Sequence, residues 1–326
     1  MKRFLRHIAL FATLLCGTVA CETVVEFRGE YTDPMAVLYS VVTPGEPIVA
    51  YYSRSVFMLD EGNPTYIRDG VVELYINDEF VEQLQMEEQV SEYDEITILY
   101  RGTATAAVAD KVTLRARCEE FPEWVSGTTV VPFDALVSDF VVTPNEINEE
   151  GRLAGGASVR LTDPDGATNY YLVEGWTLIY RDPERPIYNY TIPFEYSDVA
   201  FSSGRSSDVI LELINDAPDY VVFDDTLIDG QKEYLLTMEW EFGEYYLHNY
   251  PLSFNVNCLQ IDEHLYKYMR SVELSDNVQL FGEPVQIYTN VVGGVGLVGS
   301  RSRAVSMSIG ADQLFDVDYD QEEEYW

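Results

Sequence analysis

Short runs rich in Val, Ile, Leu, Tyr and Thr, each closed by a turn signal, recur from Thr23 onward and commit this chain to β-structure. Val37 to Val42 ends at Thr43-Pro44-Gly45, and Ile48 to Phe57 runs into the loop around Gly62-Asn63-Pro64. In Val71 to Asn77, the residues Val72, Leu74 and Ile76 share one face and Val71, Glu73 and Tyr75 the other, the period-two pattern of a strand. Thr97 to Tyr100 and Val112 to Cys118 continue the series, and Val130-Val131-Pro132 closes it, because proline ends ladder pairing. Stretches of helical period are scarce. The spacing fits an all-β fold whose first unit is a β-sandwich of immunoglobulin-like size.

A chain of 326 residues exceeds one ordinary all-β core, so two domains are expected. The first spans 21–132 and the second 133–310, also sandwich-like. Strands of the second are expected at Phe140 to Pro144, Val159 to Leu161, Tyr170 to Tyr180, Val209 to Leu213, Glu233 to Phe242 and Leu252 to Asn257. Asp163-Pro164-Asp165-Gly166 and Asp229-Gly230 supply turns. One helix is expected over Asp262 to Leu274, where Leu265, Tyr268, Met269 and Val272 make an apolar stripe that caps the second sandwich. Residues 311–326 carry seven carboxylates from Asp312 onward and no basic residue, which reads as a flexible tail. Phe315, Tyr319, Tyr325 and Trp326 give that tail the alternative character of a docking peptide.

The first 20 residues have the order of a cleavable secretion signal. Lys2, Arg3 and Arg6 precede the apolar run Ile8 to Leu15, too short for a stable membrane span, and Thr18-Val19-Ala20 lead into Cys21 as a lipidation site. Removing that leader leaves 17 basic residues against 56 acidic ones, a formal net charge of −39. So acidic a surface excludes nucleic-acid binding, which needs clustered Lys and Arg. Cys16 leaves with the leader; Cys118 and Cys258 are expected as buried free thiols.

No catalytic set emerges. His248 and His264 follow no zinc-ligand spacing, and no nucleophile turn or phosphate-binding glycine loop is present. Asp224-Asp225, Asp163 with Asp165, and Glu149-Glu150 lack the spacing of a calcium loop and are assigned to turns, so no metal ligand and no cofactor is expected. Twenty-four tyrosines give a better argument for binding. Tyr188, Tyr190, Tyr245, Tyr246 and Tyr250 combine flat faces with hydrogen-bonding tips, and are the expected ligand or partner contacts.

Several segments together resemble one family of Bacteroidota lipoproteins, domain of unknown function 4249. They are Tyr266-Lys267-Tyr268, then Pro284-Val285-Gln286-Ile287-Tyr288-Thr289-Asn290-Val291, then Gly293-Gly294-Val295-Gly296-Leu297-Val298-Gly299, with Asp224 to Gly230 and Thr128 to Pro132 upstream. Gly293 stands where the family usually has Asn, and Val298 where it usually has Phe. The resemblance implies a lipid-anchored outer-membrane protein, on its periplasmic or cell-surface face, often encoded beside a TonB-dependent transporter that becomes its candidate partner. It carries over no catalytic residue. Pro284, Tyr288, Asn290, Gly294, Gly296 and Gly299 read as structural, with Val285, Ile287 and Val291 suiting a buried strand. The expected function is therefore a non-enzymatic accessory binding protein of nutrient uptake. The alternatives are a structural adhesin or surface-layer component, and a hydrolase with an acid pair across a cleft.

Overall fold

Val72 and Leu74 are fully buried while Glu73 between them and Tyr75 after them are not, so the alternation read in this strand is the one that forms. The computed structural model describes residues 33–56, 65–91, 96–145, 152–181, 189–203, 219–278 and 286–315. The leader and Cys21, Glu149-Glu150, the strand expected at Val209 to Leu213, Tyr188, Pro284, Val285 and the tail beyond Phe315 lie outside them.

The strands are β1 (Ala36–Val42), β2 (Pro47–Arg54), β3 (Thr65–Tyr66), β4 (Val71–Ile76), β5 (Glu79–Gln83), β6 (Gln85–Val90), β7 (Ile96–Thr105), β8 (Lys111–Arg117), β9 (Val125–Val130), β10 (Leu136–Pro144), β11 (Arg152–Thr162), β12 (Tyr170–Ile179), β13 (Tyr190–Pro193), β14 (Val221–Asp224), β15 (Tyr234–Gly243), β16 (Leu252–Ile261), β17 (Val295–Ser300) and β18 (Val305–Gly310). Among the described residues two α-helices join them, α1 (Glu244–Asn249) and α2 (Glu263–Val278). The fold is mainly β, in several antiparallel sheets.

One sheet runs β17-β1-β2-β7-β6 with β3 on β2, and a second runs β5-β4-β8-β9. They share a core in which Leu38, Ala50, Tyr52 and Tyr100 of the first meet Leu74, Val112 and Leu114 of the second. The third sheet, β10-β11-β15, and the fourth, β13-β12-β16-β18 with β14 on β12, enclose another core. There Trp240 stacks on Phe242 at 5.3 Å between ring centres and lies 4.8 Å from Phe254. Its indole N–H donates to the Gly156 carbonyl at 3.1 Å, so the buried polar edge is satisfied.

Besides the added helix α1, where only one helix was expected, and the unread strands β5 and β6, two features depart from the sequence expectation. The first is β17, which lies parallel to β1 with Tyr39 opposite Leu297. A parallel neighbour needs a long crossover, and here the chain passes through the third and fourth sheets before returning. Val291 and Val298 thereby join the core of the first two sheets. The second is α2, expected as a cap on the later sheets alone. Leu265 and Tyr266 are buried with Leu297 of β17 as well as Leu172, Val222 and Leu259 of the fourth sheet, so the helix packs on both systems.

Candidate functional site

The tyrosines singled out in the sequence come from two separate segments and meet at one end of the third and fourth sheets. Helix α1 begins directly after β15 and carries Tyr245 and Tyr246, with Tyr250 at its end. β13 pairs with β12 and brings Tyr190 alongside. The Tyr190 and Tyr246 rings stack at 6.3 Å, Tyr245 stands edge-on to Tyr246 at 5.9 Å, and Tyr250 lies 6.2 Å from Tyr245. The Arg181 guanidinium is 5.7 Å from the Tyr250 ring. Tyr190 and Tyr245 are 51% and 63% exposed, far more than packing inside a fold requires.

A concavity away from this patch was not anticipated. The outer face of β1 and β2 turns toward α2 and the fourth sheet across a cleft of about 600 Å³. Tyr39, Tyr51, Tyr220 and Tyr268 line it. Tyr39 lies 5.8 Å from Tyr268 and 6.4 Å from Tyr51, and burial, reinforced by these two neighbours, raises its phenol above the ordinary range. The charged lining residues are Arg101, Arg301, Glu46 and Glu174. Arg301 donates from Nε to Thr43 Oγ1 at 3.1 Å, Arg101 pairs with Glu87 at 2.8 Å, and Glu174 accepts from Asn257 at 3.0 Å. The signal for this cleft was present in β1, where Val37, Tyr39 and Val41 alternate with Leu38, Ser40 and Val42. A strand with apolar residues in both registers is covered on both faces.

The acidic turns also converge. One oxygen from each of Asp163, Asp225 and Asp229 lies within 4.8 Å of the others, a grouping that can hold a cation. Asp163 Oδ1 accepts from the Tyr171 hydroxyl at 2.6 Å and its Oδ2 from the Gly230 amide at 2.9 Å. Asp225 Oδ2 accepts from the Asn169 amide at 2.6 Å. Burial, with the charges of Asp163 and Asp229 beside it, raises the Asp225 carboxyl. Sequence spacing did not find this set because its members come from separate turns. Asp224 plays a different part, capping a short 3-10 turn through the Thr226 amide at 3.0 Å.

The profile of the family described as Domain of unknown function (DUF4249) matches residues 22–306, a span that includes both the tyrosine patch and the cleft. The chain belongs to the DUF4249 family. Among curated proteins none matches it.

In this DUF4249 chain the glycine-rich signature braces the first two sheets. Asn290 donates from Nδ2 to the carbonyls of Thr128 at 3.0 Å and Val298 at 2.8 Å, and its Oδ1 accepts from the Val298 amide at 2.9 Å. A side chain at Gly294 would place its Cβ 2.5 Å from the Ala36 carbonyl oxygen, so only glycine permits the approach to β1. Gly299 lies close against Leu265 of α2. Tyr288 accepts or donates a 2.8 Å hydrogen bond with His264 Nδ1. The strand begins later than read: Ile287 is 38% exposed, Val291 is buried, and regular pairing starts at Val295. Of the two histidines among the described residues, His264 thus faces Tyr288, and His248 faces Glu244 at 3.4 Å on the exposed side of α1.

Proposed function

We propose that this protein is a lipid-anchored accessory of the outer membrane, tethered through Cys21, that binds and does not catalyse, and that it associates with a TonB-dependent transporter of nutrient uptake. The observation that carries the reading is the patch in which the exposed rings of Tyr190 and Tyr245 stand against the half-buried rings of Tyr246 and Tyr250. Rigid aromatic rings with hydroxyl tips are the residues that anchor protein interfaces, because they bury much area while freezing few torsions. The basic leader, its apolar run and the Cys21 that follows support the anchor. The same reading takes residues 21–132 as an immunoglobulin-like sandwich completed by β17, and the remainder of 133–310 as a second sandwich-like domain, supported by the two pairs of sheets with a core between each.

The test is affinity capture of the tagged full-length protein from detergent-solubilised outer membranes, beside a Tyr190→Ala/Tyr245→Ala variant. A TonB-dependent transporter is expected with the parent protein and is expected to fall at least about tenfold with the variant. Capture without any such transporter would sink the proposal. Cys21→Ala is expected to move the protein into the aqueous fraction.

A further inference from the structure

We infer that the cleft between the outer face of β1-β2 and α2 is a binding site for a neutral, polyhydroxylated ligand, namely an oligosaccharide. The inference rests on the reading of this chain as a binding protein but uses a surface separate from the tyrosine patch. Three observations carry it. The volume of about 600 Å³ is that of a ligand site, in the range of roughly 300 to 1,000 Å³ that such sites occupy. Its walls hold tyrosine rings from β1, β2, α2 and the residue before β14, which offer flat faces to the C–H faces of sugar rings.

The third observation is charge. The whole chain has 56 acidic residues and 20 basic ones, yet the cleft lining has two glutamates, Glu46 and Glu174, against two arginines, Arg101 and Arg301. The formal charge of the lining is therefore zero in a molecule with a net charge of −36. An anionic or cationic ligand calls for an excess of the opposite sign, whereas vicinal hydroxyls call for planar groups that donate and accept in pairs. Arg301, Glu46 and Gln89 are groups of that kind, set around a tyrosine-lined interior.

The purified full-length protein, applied to an array of neutral oligosaccharides, uronic-acid oligosaccharides and short peptides, tests this. Retention of one or more neutral oligosaccharides is expected, followed by calorimetric titration of the best of them. Tyr51→Ala is expected to weaken that binding at least about tenfold and Tyr51→Phe to leave it within about threefold, since the ring and not the hydroxyl makes the stack. Gln89→Ala, on the exposed strand β6, is expected to weaken it without disturbing the fold. Should Tyr51→Ala fail to fold, Gln89→Ala carries the same test. Three results would overturn the inference: no neutral oligosaccharide retained, only uronic-acid oligosaccharides or only peptides retained, or binding indifferent to the Tyr51→Ala and Gln89→Ala variants. The Tyr190→Ala/Tyr245→Ala variant is expected to keep its oligosaccharide affinity, so loss of the transporter partner and loss of the cleft ligand read out separately.

Discussion

Thr129 Oγ1 donates to Asp262 Oδ2 at 2.8 Å, joining β9 to the residue that begins α2. The other oxygen of Asp262 accepts from the Ser300 amide of β17 and from the Leu265 amide in the first turn of the helix, each at 3.0 Å. One carboxylate therefore caps a helix and ties together strands from both ends of the chain.

Asp262→Ala removes all three acceptor contacts and is expected to lower unfolding free energy by about 2 to 4 kcal/mol in urea melts. Asp262→Asn keeps an acceptor and is expected to cost less. Burial raises this carboxyl above its ordinary 3.8, against the opposing pull of the Ser300 and Leu265 amides, the Thr129 hydroxyl and His264. A folded-state value above the unfolded one means that the native protein holds the proton more tightly. Stability is therefore greatest below pH 3.8 for this group and falls as pH rises through the raised value. The gap between parent and Asp262→Asn should accordingly shift in favour of the variant between pH 4 and pH 7, and a gap constant across that window would contradict the assignment.

Gly296 has φ of +118°, and a Cβ there would sit 2.2 Å from the Leu38 carbonyl oxygen of β1. Both strain and collision oppose any side chain, and the atom struck is backbone, which cannot swing away. Gly296→Ala is expected to destabilise by about 3 kcal/mol or more, seen as a lower urea midpoint or loss of soluble protein. Gly156→Ala is the matched control, because a Cβ at Gly156 would meet nothing within 4 Å, and should stay close to neutral.

These two positions show why part of the molecule could be read ahead and part could not. β4, β8 and β12 were legible because apolar side chains alternate toward a core, and α2 because Leu265, Tyr268 and Met269 recur at helical spacing. β5 and β6 escaped notice, being largely exposed and rich in Glu and Gln; the Asn77-Asp78 turn, at φ of 54° and 67°, pairs β5 with β4, and β6 pairs with β7. β17 beside β1 was hidden for another reason: a parallel crossover leaves no local mark. The tyrosine patch was found because its members cluster in sequence. The cleft was missed because Tyr39, Tyr51, Tyr220 and Tyr268 meet only through the return of the chain.

Asp225 lies beside Asp163 and Asp229, and burial followed by their charge raises its carboxyl. In protein stripped with a chelator, Asp225→Asn is expected to raise the thermal midpoint at neutral pH, because the ionised form is the disfavoured one. Toward pH 3, where the carboxyl is protonated in folded and unfolded protein alike, the difference should vanish. A variant less stable than the parent at neutral pH after chelation would show that the hydrogen bonds to Asn169 need the full charge.

Cys118 and Cys258 lie in different cores, the first between the first two sheets and the second between the third and fourth. Both are free and buried. Cys118 has local hydrogen-bond partners, the Phe121 amide at 3.3 Å and the Tyr52 hydroxyl at 3.8 Å. Burial alone pushes the Cys258 thiol up to about 12, so the reactive thiolate is scarce at neutral pH. Native protein treated with iodoacetamide at about pH 8 is therefore expected to leave both residues unlabelled over minutes, while the same reagent in guanidinium without reductant labels both. Peptide mass spectrometry reads each site separately. A linked pair of peptides holding Cys118 and Cys258 would contradict the placement of the two cores, and rapid native labelling of Cys258 alone would show that β16 opens on that timescale, since its thiol cannot otherwise meet the reagent.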